Sequence, residues 1–184
     1  LTSSIPKKPF SFSISIVDKV DTLVGFFVID EKPTGSKDPF ALRRSAIGLL
    51  RIIIENKIIF KLRDLISQSI RLYEQQGVKI KNDKAEHQVL EFIKERMRNI
   101  LKQKKIKNDI IEASISSHAG DNFLDLYKKT ILMNKHINKE VGKNAINSYK
   151  RASNILDKAN KSISGRPDAV LFRKEEEKLL YEKI

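Results

Sequence analysis

The sequence predicts an all-α fold, a helical bundle, and three observations carry that reading. Apolar residues recur at spacings of three and four in segment after segment. Short polar or Pro/Gly-bearing stretches separate those segments and bear helix-start and helix-stop residues. Strand-like alternation occurs once, in SFSISIV at 11–17, and gives way at once to a helical stripe.

That stripe is Phe12, Ile16, Val20, Leu23, Val24 and Phe27, which predicts a helix over about 11–25, capped near Gly25, with a strand as the alternative. Residues 29–38 (IDEKPTGSKD) concentrate Pro, Gly, Ser and Asp and form a loop. Asp38 can take up free backbone N–H groups and Pro39 suits the first helical position, so a helix starts there. Leu42, Ala46, Leu49, Leu50, Ile53 and Ile54 make it apolar over more than one face. Residues 58–76 repeat the pattern at Ile59, Leu62, Leu65, Ile66, Leu72 and Tyr73, and Gly77 ends it. The polar stretch 77–83 (GVKIKND) is the expected linker between a domain at 1–76 and another at 84–184. Asp83 is placed to cap a long helix with Val89, Leu90, Ile93, Met97, Ile100 and Leu101 inward. The basic KQKKIK stretch follows at its C-terminus, where the helix dipole favours cations. A short helix to about residue 116 comes next. Further helices are marked by Phe123, Leu124, Leu126, Tyr127, Ile131 and Leu132, and by Val141, Ala145, Ile146, Tyr149, Ala152, Ile155 and Leu156. SGRP at 164–167 breaks the last of these, and a final helix covers about 173–184, giving about eight in all.

A chain of 184 residues is long enough to bury a core without cross-links. With no cysteine, disulfide scaffolds, cysteine nucleophiles and thiolate metal sites are excluded. No apolar run approaches a membrane span, and the first ten residues hold no signal core, so no membrane partner is expected. A start at Leu1 reads as a piece of a longer chain. The formal charge is +13, which favours anionic partners. Part of it is compositional, because 25 Ile, 26 Lys and 11 Asn against 10 Arg match an A+T-rich coding bias. The excess is uneven, at +5 over residues 38–82 and +5 over 120–184 against +1 and +2 elsewhere.

No catalytic set is visible, and His87, His118 and His136 share no ligand spacing. PTGSK at 33–37, preceded by Lys32 and ending in Lys37, lacks the phosphate-loop spacing but can contact an anion in front of a following helix N-terminus. Arg43 and Arg44 sit in the first turns of a helix, where the dipole disfavours cations. Either an internal carboxylate, Asp18 or Asp21, or an external phosphate offsets them. Tyr149, Lys150, Arg151 and Asn154 cluster on one helix, with Lys150, Asn154 and Lys158 along one face. Stacking on Tyr149 or the Arg151 guanidinium with phosphates on the cations is how single-stranded RNA is held. Packing of Tyr149 in a core with a solvated charged face is the alternative.

EKPTGSKDPFALRR at 31–44 closely resembles the signature of the β subunit of bacterial tetrameric glycyl-tRNA synthetase. VDKVDTLVGFFVI at 17–29 resembles the preceding segment of that family, at the end of its HD-type domain. NSYKRASNILDKA at 147–159 resembles a helix of its C-terminal anticodon-binding domain, and FRKEEEKLLYEKI at 172–184 resembles a further segment of the family with a Glu and a Leu near its end. The resemblance implies the end of an HD-type helical domain (1–76), a linker (77–83) and part of an anticodon-binding-like helical domain (84–184). It also implies an α2β2 assembly, cytoplasmic, that joins glycine to its tRNA. ATP and magnesium are used by the α subunit, and the β subunit binds tRNA. This chain is then expected to hold no catalytic residue, metal or cofactor of its own. Its expected RNA contacts are Lys32, Lys37, Arg43, Arg44, Tyr149, Lys150, Arg151 and Asn154. The HD-type domain is represented only by its end, so Asp18, placed where such proteins have a last metal-binding Asp, has no partner set. A scaffold that joins domains and contacts the α subunit is the competing expectation.

Overall fold

A computed structural model describes residues 4–33, 38–117, 120–159 and 169–182. Among them are eight α-helices and no strand: α1 (Pro9–Val28), α2 (Leu42–Glu55), α3 (Leu62–Gln75), α4 (Ala85–Gln103), α5 (Asn108–Ser117), α6 (Phe123–His136), α7 (Glu140–Ala159) and α8 (Glu175–Glu182). A short 3₁₀ turn, Ala169–Leu171, precedes α8. The chain forms two compact units, Leu1–Lys139 and Glu140–Ile184.

In the first unit α1 packs on α2, α3 and α4, α2 also meets α4 and α6, and α4 also meets α3 and α5. The stripe read from the sequence does this work. Ile16, Val20, Leu23, Val24 and Phe27 are all buried, and so are Leu42, Ala46, Leu49, Leu50 and Ile53 of α2. Val89, Leu90, Ile93, Met97 and Leu101 bring the facing side of α4 into the same core. Burial of each Val, Leu, Ile, Phe or Met among them contributes about 1.5–3 kcal/mol, which is why the period-3.6 pattern decides the fold here.

Three boundaries differ from expectation for identifiable reasons. α1 continues through Gly25 to Val28, because Gly25 is packed against Tyr73 rather than ending the helix. α2 begins at Leu42 rather than beside Asp38. Residues 38–41 form a turn, with the Ala41 N–H donating to the Asp38 carbonyl (3.1 Å) and Ala41 left-handed at φ 55°. Pro39 therefore occupies a turn position, and Phe40 stacks on Phe26 at 4.1 Å between ring centroids. α4 starts at Ala85 without the Asp83 cap or any other side-chain cap, after a turn in which the Asn82 Oδ1 accepts the Lys84 N–H (3.1 Å).

Residues 77–83 lie inside the first unit. The Asn82 side-chain amide donates to the Phe27 carbonyl (3.0 Å), and the Lys81 N–H donates to the Val28 carbonyl (2.8 Å). These donors satisfy carbonyls at the C-terminus of α1 that no helical partner can reach. Gly77 ends α3 with φ 78°, as a C-terminal glycine does. Ile59 and Leu72, both expected inward, are exposed. The other unit holds α7 and α8. Val141, Ile155 and Leu156 of α7 are exposed there, as are Leu179 and Leu180 of α8. No helix of the described residues is long and apolar enough to cross a membrane.

Candidate nucleic-acid interface

The expected contacts fall in both units. In the first, Lys32 is exposed on the loop after α1. Its ammonium lies 3.0 Å from the Asp30 carboxylate and donates to the Gln88 side-chain oxygen of α4 (3.2 Å). Arg43 and Arg44 occupy the second and third positions of α2. Lys37 lies outside the described residues, as does most of PTGSK.

The N-terminus of α2 is already filled. The two Asp38 carboxylate oxygens accept the N–H groups of Leu42 (2.8 Å) and Arg43 (3.1 Å). A negative charge thus sits on the positive end of the dipole, beside the arginines, and satisfies donors an external phosphate would need. Asp18 and Asp21, the carboxylates expected to offset those arginines, are engaged elsewhere. Asp18 lies 3.9 Å from Lys19. Asp21 accepts from the Ser69 hydroxyl (3.2 Å) and the Tyr73 hydroxyl (3.1 Å). Arg44 is exposed and has no ion pair among the described residues. No three of His, Cys, Asp and Glu gather as a metal-binding group among the described residues.

Beside Lys32 is a shallow cleft of about 350 Å³, bounded by Phe27, Pro33 and Phe92 and by the charged Lys32, Arg96, Glu91 and Glu95. The Arg96 guanidinium lies over the Phe92 ring, 4.5 Å from its centroid. Its Nε and Nη1 are buried without a hydrogen-bond partner among the described residues. Burial lowers its pKa, the charge of Arg43 pushes the same way, and Glu95 and Asp38 oppose. Sequence reasoning missed Arg96. Its signal is a Phe and an Arg at i, i+4 on one helix, a spacing that brings a cation onto a ring. The carboxylates of the cleft are held by other cations, Glu91 by Lys94 (2.8 Å) and Glu95 by Arg98 (3.2 Å).

In the second unit, Tyr149, Lys150, Arg151 and Asn154 all lie exposed on α7. Tyr149 is 74% exposed and so is not packed in a core. None of the four has a hydrogen bond or ion pair among the described residues. Lys150, Asn154 and Lys158 follow one face at intervals of one turn, so the helix presents an aromatic ring, cations and an amide to solvent together.

A family model described as glycyl-tRNA synthetase beta subunit matches residues 1–116, more than half of the chain. The chain belongs to the glycyl-tRNA synthetase beta subunit family. It is similar to the glycine–tRNA ligase beta subunit of Rickettsia africae (strain ESF-5), with 39% identity over 171 residues, 93% of this chain and 24% of that protein. The beta subunit of Ruegeria sp. (strain TM1040) is 34% identical over 158 residues, 86% of this chain and 21% of its own length. That of Rhodospirillum centenum (strain ATCC 51521 / SW) is 37% identical over 153 residues, 83% and 21% respectively. This member of the beta subunit family thus spans about a quarter of the length of the curated relatives it matches. The likeness to the Rickettsia protein runs past the family match and takes in α7, where Tyr149, Lys150, Arg151 and Asn154 stand.

Proposed function

We propose that this chain is a tRNA-binding, non-catalytic part of the beta subunit of an ATP-dependent glycine–tRNA ligase, and helps attach glycine to its tRNA. The observation that carries the reading is the α7 face. Tyr149, Lys150, Arg151 and Asn154 are exposed together, without a hydrogen bond or ion pair among the described residues, in a member of this family. The Tyr149 ring offers a stacking platform, Lys150 and Arg151 meet phosphates, and the Asn154 amide can pair with a base edge. Lys32, Arg43 and Arg44 are the further contacts expected within the first unit. ATP and magnesium belong to the alpha subunit, the partner expected from the family, and the assembly works in the cytoplasm.

The test is a titration of the 184-residue chain with glycine tRNA and a non-cognate tRNA at two salt concentrations. Phosphate contacts release counterions, so all binding falls as salt rises. A preference for glycine tRNA that survives the higher salt is the expected result. Equal, weak binding that vanishes with salt overturns it.

A second reading is a scaffold that joins domains and contacts the alpha subunit. The exposed apolar side chains of α7, Val141, Ile155 and Leu156, favour it. It calls for salt-tolerant association with the alpha subunit and negligible RNA affinity.

A further inference from the structure

The α7 face is not the only place in the chain where unneutralised positive charge meets an aromatic side chain. The C-terminal ends of α2 and α4 converge with α6 on an open groove of about 460 Å³ within the first unit. Ile47, Ile54 and Ile100 give it an apolar floor. The half-buried Tyr127 ring forms a wall, and its hydroxyl has no hydrogen-bond partner among the described residues. Arg51 and Lys104 stand on the rim.

The rim continues into the connection between α4 and α5. Lys102, Lys104, Lys105 and Lys107 are all exposed, and none has an ion pair among the described residues. The acidic groups nearest them in the chain are engaged. Asp109 accepts the Ile110 N–H (2.9 Å), and Glu112 holds Arg98 (3.0 Å). A helix C-terminus calls for one or two cations in its last turn. Here the backbone N–H groups of Lys104, Lys105 and Ile106 already cover the last carbonyls of α4, so four lysines exceed what the helix end requires. One carboxylate lines the groove. Glu55 lies 3.7 Å from Arg51 and 3.5 Å from Lys7, so it is outnumbered by its own cations.

We infer that this groove binds an unpaired nucleotide of an RNA strand, its base against Tyr127 over the isoleucine floor and its flanking phosphates on Lys104, Lys105 and Arg51. The Gln103 amide, also in the groove, supplies both a donor and an acceptor for a base edge. An apolar floor with one aromatic wall and a cationic rim suits a base and its phosphates better than a bare anion. The inference rests on the RNA-binding reading above for the kind of ligand, and on separate residues for the site.

The test uses the 184-residue chain with two probes, an oligoadenylate and glycine tRNA, and three variants. Lys104→Ala/Lys105→Ala is expected to weaken oligoadenylate binding by roughly tenfold and to flatten its salt dependence by about 1.4 in log–log slope, the value for two single-strand phosphates. Tyr127→Leu keeps apolar volume and is expected to weaken binding by roughly fivefold or more with the slope unchanged, as lost stacking does. Lys150→Ala/Arg151→Ala is the control on α7. Photo-crosslinking followed by mass spectrometry then places adducts on Tyr127. A thermal melt that matches the wild type confirms each variant's fold. Oligoadenylate that binds the groove variants as well as the wild type, that does not bind at all, or that crosslinks only to α7 overturns the inference. If glycine tRNA is not bound while the oligoadenylate still needs Tyr127 and the lysines, the tRNA reading fails and the groove stands. If tRNA binding is lost only in the α7 variant, the tRNA reading stands and the groove fails.

Discussion

A β-carbon placed on Gly25 would lie 2.5 Å from the Tyr73 hydroxyl oxygen, so α1 and α3 approach each other across a glycine. Tyr73 is fixed there by the Asp21 carboxylate, 3.1 Å away, which also accepts from Ser69. Gly25→Ala therefore has two opposed effects. Alanine is favoured in a helix interior by about 0.8–1 kcal/mol. Forcing a methyl into occupied space costs about 1–3 kcal/mol and displaces the hydroxyl from its carboxylate. The net expectation is a loss of about 1 kcal/mol in urea unfolding, and a smaller loss when the same change is made in Tyr73→Phe. A Gly25→Ala chain more stable than wild type contradicts this packing.

The same tyrosine sets an alkaline limit. Burial, then the charge of Asp21, then the hydrogen bond to it push the Tyr73 phenol up to about 12. The unfolded chain titrates near the ordinary value of about 10. The fold thus prefers the neutral phenol. That preference contributes in full below about pH 10 and is lost as pH rises from there towards 12. Stability of the wild type is expected to fall more steeply than that of Tyr73→Phe across this window. The near-ultraviolet ionisation signal that Tyr73→Phe removes should appear only towards about pH 12. Parallel stability curves for the two chains would mean that Tyr73 is not held as described.

Asp38 closes the N-terminus of α2 from four residues upstream, through two hydrogen bonds to backbone N–H groups. Asp38→Ala leaves both donors without their partner and removes a negative charge from the positive end of the dipole. The expected cost is about 1–2 kcal/mol, and Asp38→Asn, which keeps one acceptor oxygen, should recover about half of it. Urea midpoints of the three chains measure this directly. No difference between alanine and wild type would show that solvent serves those donors equally well.

What was legible in the sequence was what local periodicity controls. The stripe from Ile16 to Phe27 fixes which side of α1 is buried, and Leu42 to Ile53 does the same for α2. Helix starts were less legible, because Pro39 suits a turn as well as a first helical position, and only Phe40 stacking on Phe26 decides between them. An apolar stripe also names a face without naming its cover. Val141, Ile155 and Leu156 mark α7 in the sequence and are exposed in the fold. Arg96 could be seen only as one charge among many until Phe92 was placed beneath it. The α7 cluster was legible as a group of residue types, since a turn's spacing aligns Lys150 with Asn154, but its exposure was not.

Distance along the chain hid another contact. Asp121, 58 residues away, accepts the Arg63 backbone N–H at 2.6 Å and so caps α3 from the loop before α6. Arg63 in turn pairs with Glu86 of α4, whose second oxygen accepts from Ser67 (2.5 Å). Asp121→Ala is expected to cost about 1 kcal/mol, as loss of a helix cap does, and Asp121→Asn much less. Hydrogen exchange should speed up at the first turn of α3 in the alanine chain while α1 stays protected. Faster exchange throughout the first unit would instead mean that Asp121 supports more than this one helix end.

The exposed charges of α7 separate binding from folding. Lys150 and Arg151 touch no partner among the described residues, so replacing both with alanine should leave the melting temperature unchanged within error. If each meets one phosphate, the salt dependence of glycine tRNA binding should flatten by between about 1.4 and 1.8 in log–log slope, the range for single strands and duplex. Tyr149→Leu should weaken binding with no change in slope, because stacking releases no counterions. A double variant that lowers affinity with an unaltered slope would mean that these cations act through the shape of the helix and not through phosphate contact. A double variant with unaltered affinity would place the tRNA contact elsewhere in the chain.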